Sequence, residues 1–361
     1  MTLSVGIYVD SRLDIAPVAV AAENAGLSHL WLYDSPLVFA DTSMAAVVAA
    51  QATTRISIGP GVANPLQRPP EYTAQMLATL NRAAPGRVML GLGIGNSALR
   101  SRGLPPATIA DMRSHIEAVR ALLRGEDALI GTDNRPVRLI HPHDPWMNIN
   151  NYIPIWYSAF GPKGLELAGE LADGVLTRWE GPDRSQRAAD VIAPGRSKST
   201  CPNFEFGVVF AMQPIDSDDE LETDAMRAAL GPLVVSRLRY LTANAQSADE
   251  VPVPFRDGFV AYQDHRASLD ERTRHLENYR GYLVFTPPDL ERFVTPDSMR
   301  TVALVGPPAR LAEALNSMAS AGVTHVSLQM AGDQTVWCER MARQVFPLVA
   351  GGISTTAKES A

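Results

Sequence analysis

Residues 59–96 read GPGVANPLQRPPEYTAQMLATLNRAAPGRVMLGLGIGN. Gly59 closes a short β-rich run, Ile56 to Gly59; Glu71 to Arg82 has the apolar spacing of a helix; Arg87 to Leu92 is again a short apolar run of strand length. A strand, a helix and a second strand in so short a span make a β–α–β unit, and the rest of the chain repeats it.

Upstream, the run Leu3 to Val9 is followed by an Ala-rich helical stretch, Asp14 to Ala25, closed by Gly26; the strand His29 to Tyr33 and the helix Thr42 to Thr53 come next. Downstream lie the helix Ala110 to Leu123, the strand Pro154 to Tyr157, the helix Lys163 to Leu171, and the strands Gly174 to Thr177 and Glu205 to Met212. The helix Pro308 to Ala321, the strand Val323 to Gln329 and a terminal helix, Gln334 to Phe346, complete the series. Eight strand–helix pairs are the number that closes a parallel ring, so the expected fold is α/β, a (β/α)8 TIM barrel forming a single domain over residues 1–350. Two connections exceed ordinary lengths and read as insertions, about 125–152 after helix four and about 242–300 before strand eight. The second is rich in proline and aromatic residues, and either insertion would serve as a lid or as surface decoration. The tail 351–361 (GGISTTAKESA) is expected to be disordered.

The composition narrows the function. Lys plus Arg number 32 against 39 Asp plus Glu, a formal charge of −7, whereas nucleic-acid binding calls for basic stripes. A small organic substrate is therefore expected, with no nucleic-acid partner. The two cysteines, Cys201 and Cys338, match no metal or redox spacing, and the histidines form no HExxH or paired Cys/His set, so no metal is expected. The N-terminus lacks the pattern of a secretory leader and no stretch approaches ~18 uninterrupted apolar residues, which predicts a cytoplasmic protein with no membrane partner.

In such a barrel the C-terminal strand tips carry the chemistry. These tips offer Asp10 after strand one, Asp34 and Ser35 after strand two, Gly59 to Pro65 after strand three, Gly93, Ile94, Gly95 and Asn96 after strand four, and Ser158 to Lys163 after strand five. Glycines allow close backbone approach to a ligand, and Pro162 in a first helical turn leaves free N–H groups and Lys163 facing one phosphate-like group. GLGIGN is not a dinucleotide fingerprint: Asn96 stands where a third glycine belongs, and the next helix is expected some fourteen residues later. No GxSxG elbow is present. Trp31, Met89, Trp156 and Trp179 read as core packing or as a pocket border, with core favoured by their strand spacing.

Residues 59–96 resemble the segment from strand three through strand four in the luciferase-like flavin and deazaflavin oxidoreductases. The shared features are a Gly-rich tip, Asn64-Pro65, a basic residue and a proline, a helix ending Ala78-Thr79-Leu80, and a small-Gly-Arg turn feeding Leu90-Gly91-Leu92-Gly93. Ala21 to Asp34, Ile155 to Gly174 and Val305 to Val323 agree too, so the likeness covers about two thirds of the barrel and fades over the insertions. The Gly-rich tip and SAFGPKGL look closest to the coenzyme F420-dependent branch, especially the methylene-tetrahydromethanopterin reductases; the alternative is an FMN-dependent monooxygenase using O2 and reduced flavin.

By position, the resemblance implies that Asp34 lies beside the ring and that Gly61-Val62 backs it, often through a cis peptide. It implies that Ala63 and Asn64 hydrogen-bond the ring edge and that Gly93, Ile94, Gly95 and Asn96 line the ribityl-like chain. Ser158, Ala159, Phe160, Gly161, Pro162 and Lys163 would then meet the phosphate. It also implies a homodimer formed through early helices, for which Ala-rich Thr42 to Ala52 offers a face. Several relatives carry His directly after the aspartate of strand two, and this chain has Ser35 there. Serine is a poor base alone, so the catalytic candidates are Asp10, Asp34 and Ser35, together with residues of the insertions. Asp10 and Asp34 on neighbouring tips would act on one another through like-charge repulsion.

Overall fold

The computed structural model describes residues 2–131, 133–201 and 203–355. Eight strands form one parallel path: β1 Leu3–Val9, β2 His29–Leu32, β3 Ser57–Pro60, β4 Leu90–Leu92, β5 Ile155–Ser158, β6 Gly174–Arg178, β7 Glu205–Phe210 and β8 His325–Gln329. Their order is β3-β2-β1-β8-β7-β6-β5-β4, and every pairing along it is parallel. The two ends meet through parallel bridges, Ile58 with Val88 and Ala63 with Leu92, which bring the ring round to the expected (β/α)8 barrel.

Local chemistry sets the element limits. The first helix, Ala16–Asn24, starts later than its Ala-rich pattern because Pro17 fixes its first turn. The helix Thr42–Ala52 is capped by Asp41, whose carboxylate accepts the N–H groups of Ser43 and Met44. Its Ala45, Ala46, Ala49 and Ala50 are buried against the barrel. The run expected as strand seven divides: Glu205–Phe210 belongs to the barrel, while Met212–Pro214 pairs in parallel with Leu304–Gly306 outside it.

Several elements were not expected. A short helix, Asn96–Arg100, opens on the last residue of GLGIGN, so the distance to the next helix does not argue against a dinucleotide fingerprint as the sequence reading held. Helices Pro182–Arg196 and Asp224–Asn244 follow β6 and the β7 region, and the insertion beyond them is largely helical, with Arg256–Ser268 its longest piece. The earlier insertion holds an antiparallel hairpin, Ala128–Ile130 with Arg135–Val137. In the tail, Ile353–Ser354 pairs with the start of β1 where disorder was expected; residues 356–361 lie outside the described residues.

The barrel interior is filled by aromatic rings. Trp31 and Trp156 meet edge to face at 5.7 Å, and His29 and His325 pack against both. Gly174 makes room for them, since a Cβ there would stand 2.5 Å from the Trp156 ring. Trp31, Trp156 and Met89 are therefore core residues, while Trp179 is only partly buried. The two histidines head β2 and β8, at the end opposite the tips. Ser28 bonds His29 Nδ1 at 2.8 Å, and Ser4 and Ser327 bond the two ring nitrogens of His325 at 2.7 Å each. Burial pushes His29 down to about 3 and His325 well below the ordinary histidine value, so both are held neutral. Among the described residues, no helix is long and apolar enough to cross a membrane.

Candidate functional site at the C-terminal rim

The tips of β1 to β5 adjoin around the ring, so the candidate residues lie along one continuous arc. Asp34, just past β2, is buried at 4% exposure. Its Oδ1 accepts from Thr42 Oγ1 at 3.1 Å and Gln67 Nε2 at 3.0 Å, while Oδ2 faces Arg68 Nε at 3.4 Å. Arg68 also reaches Asp41 at 3.5 Å. Burial alone would raise the Asp41 carboxyl, but the Met44 N–H, the Arg68 charge and Ser43 hold it below its ordinary value.

Around this cluster three buried polar atoms, Asp34 Oδ2, Gln67 Oε1 and Arg68 Nε, have no hydrogen-bond partner. Arg68 and Asp34 lie within ionic distance, but the contact lacks hydrogen-bond alignment. An orphaned buried polar atom costs about 1–3 kcal/mol, and the unpaired Gln67 Oε1 beside the poorly aligned Asp34–Arg68 ion pair points to a ligand at the junction of tips two and three. Gln67 and Arg68 escaped the sequence reading, although the basic residue after Asn64-Pro65 was part of the motif that carried the resemblance.

Asp10 and Asp34 each have a guanidinium of their own rather than one another: Arg12 lies 3.7 Å from Asp10, as Arg68 lies beside Asp34. The arrangement anticipated from like-charge repulsion is replaced by two separate ion pairs. Asp10 is the more open of the two carboxylates, its side chain 24% exposed. Ser35 Oγ lies 2.6 Å from Ser97 Oγ, and Tyr282 of the long insertion comes close to Ser97. Tyr279 Oη donates to the carbonyl of Asn96 at 3.2 Å, so the insertion reaches the rim through two tyrosines. Tyr33 stacks on Tyr8 at 5.4 Å and accepts from Gln329, joining the tips of β1, β2 and β8. Burial, then Tyr8 and Tyr282, raise the Tyr33 hydroxyl well above the ordinary phenol value.

The Gly61–Val62 peptide is cis, in the place the resemblance implied. Ala63 and Asn64 differ from expectation. The Ala63 N–H donates to Gly91 O at 2.8 Å and its carbonyl accepts from Gly93 at 2.9 Å. Asn64, 1% exposed, donates to Gly93 O at 3.1 Å and accepts from the Leu66 N–H at 2.9 Å. The donor that Ala63 would present to a ring edge is already used, and both residues instead fasten tip three to tip four. Gly95 sits under Asn64 with φ +83°, and a Cβ there would stand 2.1 Å from Asn64 Nδ2. Gly93 is buried, while Ile94 and Asn96 are exposed along the rim.

At tip five, Ser158 is half-buried, Ala159 is buried, and Phe160, Gly161, Pro162 and Lys163 are exposed. The helix Pro162–Leu171 starts at Gly161 without a side-chain cap, and its first backbone bond is Leu165 N–H to Gly161 O. The N–H groups of Lys163 and Gly164 therefore precede the helical ladder, in the arrangement that receives an anion. Arg178 stacks over the Phe160 ring with Cζ 4.9 Å from its centroid.

Comparison with known proteins places the chain in a family. A family model described as luciferase-like monooxygenase matches residues 9–325. The chain is 28% identical to a 5,10-methylenetetrahydromethanopterin reductase of Archaeoglobus fulgidus, over 84% of this chain and 86% of that protein. It is 32% identical to an F420-dependent glucose-6-phosphate dehydrogenase of Nakamurella multipartita, over 78% of this chain and 89% of that one. The solved structure of a coenzyme F420-dependent tetrahydromethanopterin reductase from Methanopyrus kandleri superposes with a TM-score of 0.70 at 21% identity, covering 96% of this chain and 99% of that chain.

Proposed function

The chain belongs to the luciferase-like monooxygenase family, and from that premise we propose that it is an oxidoreductase using coenzyme F420 to exchange hydride with a small organic molecule. The observation that carries the reading is the buried Asp34–Gln67–Arg68 cluster, with Gln67 Oε1 left unpaired, on an arc that ends in an uncapped helix start. These features fit a flat polar ring with an anionic tail. When bound, the deazaflavin supplies a carbon that takes up or releases hydride. The protein supplies orientation: Asp34 and Gln67 offer unfilled polar atoms to the ring, and Gly61–Val62 backs it. Gly93 to Asn96 flank the chain that follows, and the N–H groups of Lys163 and Gly164 receive the phosphate.

For the proton, Ser35 is useful only as part of a chain of hydroxyls. Its 2.6 Å contact with Ser97 Oγ lets a proton on Ser35 Oγ pass to a second hydroxyl under the insertion. The substrate lies beneath the insertion that Tyr279 and Tyr282 tie to the rim. We further propose a cytoplasmic homodimer, with exposed Met44, Leu66 and Tyr72 as part of the contact and two buried free cysteines suited to a reducing compartment. Fluorescence titration with F420 and with FMN tests the cofactor: micromolar F420 binding is expected, and tight FMN binding with no response to F420 overturns the proposal.

A further inference from the structure

Between tips five and six a cavity of about 270 Å³ opens at the rim, lined by Phe160, Pro162 and Thr177 and by the guanidinium-bearing Arg178, Arg184 and Arg187. Arg178 lies between two rings, its Cζ 4.9 Å from the Phe160 centroid and 5.4 Å from that of Tyr240. Arg237, from the helix Asp224–Asn244, also stacks on Tyr240 at 5.4 Å. Burial and then the charge of Arg178 lower the Arg237 guanidinium below its ordinary value, as expected of two cations facing a shared space. The only acidic side chain in the lining is Glu180, which is bound to Arg184 at 2.6 Å. Among the described residues Arg187 has neither ion pair nor hydrogen bond. In a chain of net charge −7, this concentration of positive charge is a local exception.

Three separate elements supply these cations: the end of β6, one face of the helix Pro182–Arg196 and the helix Asp224–Asn244. Arg184 is already paired with Glu180, which leaves Arg178 and Arg187 of the lining to meet anions beyond a phosphate held on the Lys163 and Gly164 N–H groups. FMN ends at its phosphate, whereas coenzyme F420 continues beyond it into carboxylates. Resting on the cofactor assignment above, we infer that this cavity binds the carboxylates of the F420 tail and so selects F420 over FMN. The aromatic faces hold Arg178 and Arg237 in place before the ligand arrives, which reduces the ordering cost of binding.

The test uses fluorescence titration of the full chain, wild type and Arg178→Ala/Arg187→Ala, at low and high salt. Three ligands are compared: F420 with its glutamyl tail, the same molecule cut back to its phosphate, and the deazaflavin riboside that lacks both. Both side chains are exposed, and Arg178→Lys/Arg187→Lys retains the charge. The double alanine variant is expected to weaken tailed F420 roughly tenfold, with a shallower salt dependence, while the two shorter ligands bind as before and the lysine variant recovers part of the loss. Equal weakening of the phosphate-terminated form assigns the arginines to the phosphate and overturns the inference, as does no change with any ligand. Wild-type protein that binds none of the three overturns the cofactor reading instead.

Discussion

Replacing Gly95 by alanine tests whether tips three and four are fastened as described. Gly95 has φ +83°, and an added Cβ would stand 2.1 Å from Asn64 Nδ2 and 2.8 Å from Leu99 Cγ. Holding an L-residue in the left-handed region costs about 1–2 kcal/mol. Asn64 must also withdraw, breaking its buried bond to Gly93 O and adding about 1–3 kcal/mol, for a total of about 2–5 kcal/mol. With about 2.1 cal/mol/K of unfolding entropy per residue over 361 residues, each kcal/mol lowers the melting temperature by about 1.3 °C, so the expected drop is roughly 3–7 °C. The control is the same change in an Asn64→Ala background. There the Asn64 bond is already gone, and Gly95→Ala should cost only the backbone part and the displacement of Leu99, less than in the wild-type background by about 1–3 kcal/mol. Thermal melts of all four proteins form a double-mutant cycle. Strictly additive losses, or a single-variant loss within the error of the melt, would refute the fastening argument.

Acid should destabilise the barrel from within. His29, lowered to about 3, and His115, lowered to about 4, stay neutral in the fold, while in the unfolded chain histidine takes up a proton near pH 6.5. The unfolded state therefore binds more protons below that pH, and stability, complete above about 6.5, should fall by up to ~1.4 kcal/mol per pH unit for each histidine as the pH drops toward 4. Urea midpoints at pH 7 and pH 5 check this, and a midpoint that rises on acidification contradicts it. Arg68→Met should weaken F420 binding roughly tenfold by leaving Asp34 without its cation. A fluorescence titration showing unchanged affinity would mean that the Asp34 cluster lies away from the cofactor.

The barrel was legible because its strands are short runs of β-branched and apolar residues between helices with clear spacing; β1 has the limits its sequence suggests. Other elements hid their signals. Pro194 and Pro232 lie inside the helices Pro182–Arg196 and Asp224–Asn244, where proline reads as a break, and Asn96–Arg100 is too short to show a period. The tip residues could be found because the fold gathers strand ends, whatever their spacing in the chain. Their partners could not: Tyr279 meets the Asn96 carbonyl only through the folded insertion, and Arg68 gains its meaning from a buried carboxylate at a neighbouring tip. Nor could the sequence reveal that Ala63 spends its N–H on Gly91, since an N–H free for a ligand and one bound to a neighbouring strand are written identically.

Among the described residues the ring of strands meets itself through two isolated bridges, and the second of them, Ala63 with Leu92, lies immediately beside the proposed cofactor bay. The seam is thus the place where the barrel has least ladder to lose, while the β1–β8 junction has five paired positions. Amide protons at Ala63 and Gly93 should trade with deuterated solvent sooner than those of β1, and a molecule seated against Gly61–Val62 should slow them by holding the two lips together. Occupancy and closure then become a single equilibrium, in which the guest acts as a missing rung.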